Sequence, residues 1–145
     1  MNTIAEIMQP IAVLAAWTMV MWVWMYVTRI PAMTAAKVDA DALVRQGGQS
    51  LDQLLPAKTQ WKAHNYNHLH EAPTVFYAVA LALAFMGAGD GFNAQLAWAY
   101  VALRIVHSLV QATVNKVMIR FLLFALSSFV LIMLVAHTVM AAFAH

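Results

Sequence analysis

The chain has 145 residues, of which 63% are hydrophobic and 10% charged, and its mean hydropathy is +0.72. A soluble domain carries about 25% charged residues, and so short a chain has too little interior to hide this much apolar surface, so a water-soluble protein is excluded. A net charge of +2 without a basic run excludes a nucleic-acid partner, and the lack of cysteine excludes disulfides, thiolate metal ligands and a cysteine nucleophile.

A lipid bilayer is therefore the expected partner, and spanning it takes about 20 mainly apolar residues. Four segments meet that need, predicting an all-α membrane protein, a four-transmembrane-helix bundle in a single domain over 1–145. The first helix, about 9–30, opens at Pro10, where a missing N–H is harmless. Glu6 stands before it in place of a basic cluster, which argues against a cleaved secretory signal. A hydrophilic connection follows over about 31–60, with room for one short helix. The second helix, about 61–88, ends in the turn-like Gly87-Ala88-Gly89-Asp90-Gly91. The third covers about 95–117 and the fourth about 119–143, and the short links between them favour antiparallel neighbours.

Basic residues set the orientation. Of the eight, all but Arg104 fall on the first and third connections: Arg29, Lys37, Arg45, Lys58, Lys62, Lys116 and Arg120. Glu6 and Asp90 lie on the other side. That bias predicts a cytosolic 31–60 connection and both termini outside the cytosol.

Two helices carry polar stripes. Residues three and four apart share a helical face, so Arg104, His107, Ser108, Gln111 and Asn115 fall within an arc of roughly 100°. His64, Asn67, His68 and Glu71 do the same on the second helix. Such residues inside a membrane face a bundle interior or a wet cavity and commonly serve function. A plainer reading stands beside this one. Ser108, Gln111 and Asn115 can simply hold helices together, Arg104 and Glu71 can form a buried ion pair, and His137 suits a packed core position. The spacing His64-x3-His68-x2-Glu71 also matches three metal ligands on one face, as a membrane metal-dependent oxidase would need. Two polar faces require more enclosed surface than one small bundle supplies, which predicts a closed homo-oligomer.

The run Asn65-Tyr66-Asn67-His68-Leu69-His70-Glu71-Ala72-Pro73-Thr74-Val75-Phe76-Tyr77 resembles the second-helix signature of the MAPEG family, the membrane-associated proteins in eicosanoid and glutathione metabolism. Trp98-Ala99-Tyr100-Val101-Ala102-Leu103-Arg104-Ile105-Val106-His107-Ser108 resembles its third-helix signature, which Asn115 and Arg120 continue. The likeness covers the whole chain and is nearest to a bacterial branch, implying a bacterial inner-membrane protein. It implies a homotrimer that binds glutathione between subunits and acts as a transferase or peroxidase on lipophilic electrophiles or hydroperoxides. A non-catalytic protein that binds a lipophilic small molecule or a partner is the alternative on that scaffold.

Carried over by position, Glu71 corresponds to the glutamate that holds the glutathione amino group, and Arg120 to the arginine that meets a carboxylate or the thiolate. Arg29 corresponds to the arginine proposed to activate the thiol, so Arg29 and Arg120 are the catalytic candidates. Lys62 replaces the basic residue opening the second helix, and His64, Asn67, His68, Arg104, His107 and Gln111 complete the candidate binding face. A guanidinium beside sulfur favours thiolate over thiol, so no cysteine of the protein's own is needed. Two departures fall on that face: His68 stands in place of the family's asparagine, and Gln111 in place of a tyrosine.

Overall fold

The computed structural model describes residues 3–46 and 51–144, and these are helical without a strand among them. Among the described residues seven helices follow one another: α1 (Met8–Ala35), α2 (Ala40–Gln46), α3 (Leu51–Leu54), α4 (Ala57–His68), α5 (Ala72–Phe85), α6 (Phe92–Ala112) and α7 (Val117–Ala142). Helix α6 packs on α7, α1 and α4, while α5 packs on α7 and α1. The 31–60 connection holds two short helices, α2 and α3, where one was expected, and its residues 47–50 lie outside the described residues.

Two of these helices, α1 with 28 residues and α7 with 26, are long and apolar enough to cross a membrane. Their outward surface suits lipid. Phe121, Phe129 and Ile132 of α7 are each more than 60% exposed, as is Val27 of α1. In water such a surface would drive association; in hydrocarbon it carries no penalty, because every backbone bond is satisfied within the helix.

The expected single helix over 61–88 is instead two helices separated by Leu69, His70 and Glu71. Pro73 explains the break. Its ring would collide with the carbonyl of Leu69 in a continuous helix, and it has no N–H to donate there. The chain therefore leaves α4 at His68, Glu71 takes φ −92° and ψ −101°, and α5 restarts with Pro73 in its first turn, where the missing N–H is tolerated. At 14 residues α5 is about 21 Å long, too short to span hydrocarbon alone.

The third helix also ends earlier than expected. It stops at Ala112, and Asn115 lies beyond it with φ +51°, a left-handed backbone that asparagine adopts more readily than most residues. Along α6 the buried residues Ala97, Tyr100, Val101, Arg104, His107, Ser108 and Gln111 recur at three- and four-residue spacing, so one stripe faces inward. The core is built on this stripe. Tyr100 and Phe76 are fully buried with rings stacked 4.6 Å apart, and Leu14, Met21, Leu83 and Leu134 close around them.

At the far end from the α4–α5 break, the segment before α1 is tied to the α5–α6 turn. Ile7 N–H donates to Gly89 C=O at 3.0 Å, Glu6 N–H to the Asp90 carboxylate at 2.7 Å, and Gly91 N–H to the Glu6 carboxylate at 3.0 Å. Gly91 needs its φ of +63°, and a Cβ on Gly89 would lie 2.7 Å from Ile7 Cγ2, so two glycines make the close approach possible.

Candidate functional site

The α4–α5 break, the inward stripe of α6 and the first turns of α7 meet around a cavity of about 250 Å³. His68, Glu71 and Ala72 form one wall, Arg104 and His107 the second, and Val117, Arg120, Phe121 and Phe124 the third. Polar groups thus face an apolar flank from α7. The cavity opens to the surface, since the side chains of His68 and Glu71 are 42% and 66% exposed.

Each polar member is held by a specific contact. His68 Nδ1 and Glu71 Oε2 lie 3.2 Å apart, and an ionised carboxylate only accepts, so the imidazole N–H donates. The two residues stand three apart, and their contact bridges the break between α4 and α5. Buried Arg104 donates from Nε to the Tyr100 hydroxyl at 3.1 Å, and its guanidinium lies 5.5 Å from the Tyr100 ring centre and 5.8 Å from that of Phe124. Arg120 donates from Nη1 to Asn115 Oδ1 at 2.8 Å, while its buried Nε has no partner among the described residues. His107 is buried, with its ring centre 6.5 Å from that of His68.

The alternative of a buried ion pair between Arg104 and Glu71 is not met among the described residues: Glu71 pairs with His68, and Arg104 leans on a phenol hydroxyl and two aromatic faces. Two guanidiniums and one carboxylate therefore share a small cavity without neutralising one another. Such a lining favours an anionic ligand that also carries a cationic group.

Five of the ten candidates line the cavity: His68, Glu71, Arg104, His107 and Arg120. The others lie elsewhere. His64 Nε2 faces Asp52 of α3 at 3.0 Å, and Lys62 Nζ donates to Lys58 C=O at 3.0 Å and sits 5.5 Å over the Trp24 ring. Asn67 is exposed, Arg29 is half-buried near the end of α1, and Gln111 is 2% exposed with its Oε1 unpartnered. His64, His68 and Glu71 do not converge as a metal site, because His64 turns to Asp52 while His68 turns to Glu71; no metal-holding group occurs among the described residues.

Sequence reasoning missed the apolar wall of Val117, Phe121 and Phe124 and the tyrosine behind Arg104. Tyr100 was within reach of a local rule, since it stands four residues before Arg104 on the same helical face. The α7 wall has no comparable signal, because every apolar residue of that helix looks alike in sequence.

The model of the MAPEG family matches residues 7–140, nearly the whole chain. No curated protein and no solved structure matched the chain.

Proposed function

We propose, for a chain that belongs to the MAPEG family and is an integral membrane protein, that the cavity holds glutathione and that the protein transfers or oxidises its thiol. The acceptor is a lipophilic electrophile or hydroperoxide arriving from the bilayer. The observation that carries this reading is the convergence of Arg104, Arg120 and Glu71 on one cavity with an apolar wall. Glutathione brings two carboxylates, an ammonium and a thiol. The guanidiniums suit its carboxylates or thiolate, Glu71 suits its ammonium, and the unpartnered Arg120 Nε is a donor in need of an acceptor. Phe121 and Phe124 suit the apolar co-substrate.

The bundle in this reading crosses the membrane four times, with α4–α5 and α6 as the inner spans, and assembles as a homotrimer. A volume of about 250 Å³ falls below the range of roughly 300–1,000 Å³ usual for small-molecule sites, which favours a site completed by a neighbouring subunit. His64, Asn67, Lys62 and Arg29 retain exposed surface for the neighbour's cavity, whereas Gln111 is sealed within its own subunit. The positive charge bias supports a cavity end toward the cytosol and both termini on the other side.

The second reading, a non-catalytic binder of a lipophilic small molecule, draws on the α7 wall and on the replaced residues His68 and Gln111. Conjugation of an aryl halide by detergent-purified protein decides between the two. The leading reading expects glutathione-dependent product and about three chains in native mass spectrometry; binding of lipid with no turnover would favour the second.

A further inference from the structure

We propose that His68 is the general base that takes the proton from the thiol, with Glu71 as the residue that orients it; this rests on the glutathione reading above. His68 closes α4 at the break, and Glu71 Oε2 accepts from its Nδ1 at 3.2 Å. A carboxylate on Nδ1 fixes the proton there and leaves the Nε2 lone pair as the basic site. No described residue hydrogen-bonds Nε2. Both side chains line the cavity and are partly exposed, so the free nitrogen belongs to a group within reach of a ligand.

The surroundings fit the role. Arg104 and His107 face His68 from α6, Arg120 from α7, and Glu71 from its own segment. The two guanidiniums favour a thiolate over a thiol in this space, while the imidazole accepts the proton that must leave. In the step itself, the S–H proton moves to Nε2 and its electron pair stays on sulfur. Glu71 remains ionised and stabilises the imidazolium through the Nδ1–H bond, as a carboxylate does behind any catalytic histidine. With an aryl chloride as acceptor, the sulfur–carbon bond forms, the carbon–chlorine bond breaks with its pair leaving as chloride, and the imidazolium returns its proton to solvent. Glu71 Oε1 is left for the ammonium of glutathione.

An asparagine at position 68 can hydrogen-bond Glu71 but cannot accept a proton, so His68→Asn separates catalysis from packing. The experiment uses the full chain in detergent. Glutathione affinity is measured by calorimetry, kcat with a chlorodinitrobenzene is measured across pH, and thermal unfolding checks the fold; His68→Gln serves if the asparagine variant unfolds. The expected result is a fall in kcat of roughly 10²-fold near neutral pH, larger than any accompanying change in glutathione affinity. The deficit should shrink at higher pH, where solvent ionises the thiol, and added imidazole should restore part of the rate. A variant with wild-type kcat, or one whose loss of rate only follows a loss of affinity, overturns the base. Wild-type protein that neither binds glutathione nor conjugates overturns the underlying function and the base with it.

Discussion

The two ends of the bundle treat their polar groups in opposite ways. At the α5–α6 turn every noted polar contact is closed: Glu6 and Asp90 each accept a backbone N–H, Asn93 Nδ2 donates to Ala88 C=O at 2.9 Å, and His137 Nδ1 donates to Asn93 Oδ1 at 2.6 Å. At the α4–α5 break the pairing is incomplete. Among the described residues, Arg104 is buried without a carboxylate, Arg120 Nε is buried without a partner, and Ser108 Oγ and Gln111 Oε1 of α6 are likewise unmatched. Leaving a buried donor unmade costs on the order of 1–3 kcal/mol, more when it is charged. A fold that closes its bonds at one end and leaves them open at the other separates fastening from binding: the turn ties the bundle together, and in the proposed function the break takes the ligand.

This contrast makes opposite demands on substitutions. The largest effects on binding belong to the cavity. Arg120→Ala and Glu71→Gln should each weaken glutathione by about 1.5–3 kcal/mol, the range for hydrogen bonds to charged groups, with little change in thermal unfolding. At the turn the reverse holds. Gly89→Ala drives a methyl group into Ile7 and toward Ala5 and the Ala84 backbone, and should destabilise by about 1–3 kcal/mol as overpacking does, with glutathione affinity retained once folded. Asn93→Ala removes the acceptor of His137 and should cost about 0.5–1.5 kcal/mol of stability, again without touching affinity. Calorimetry and unfolding curves on the same preparations read both quantities. Should Gly89→Ala lose binding while remaining folded, or Arg120→Ala lose stability in place of binding, the division between the ends would fail.

Much of this division is visible in the sequence, but unevenly. The inward stripe of α6 follows from spacing alone, because three- and four-residue repeats have only one helical interpretation. The break after α4 is also written there, in Pro73, yet the apolar run 72–88 reads as one helix with the segment before it. Backbone sterics overruled helical continuity at that point. The His68–Glu71 contact joins residues three apart, a spacing that brings side chains together on either reading of the segment. Asn115 reads as part of the third helix by period, whereas its left-handed backbone takes it out of the helix and sets its side chain against Arg120. The His137–Asn93 contact joins residues 44 apart, and no local pattern foretells it. His137 reads as a core histidine, and its partner is a matter of how α6 meets α7. Charge and apolar periodicity therefore reveal which faces are polar, while the partner of each polar group depends on the tertiary meeting of helices.

The two ends differ most directly in whether the unmatched one takes a ligand of the stated chemistry. Calorimetric titration of glutathione into the detergent-purified wild type, beside Arg120→Ala and Gly89→Ala, puts that to the test. Saturable binding by the wild type and by folded Gly89→Ala, weakened at least tenfold in Arg120→Ala as its loss of about 1.5 kcal/mol or more requires, is the predicted result. Wild-type protein that gives no heat with millimolar glutathione, or an Arg120→Ala variant that binds it as tightly as the wild type, would contradict it.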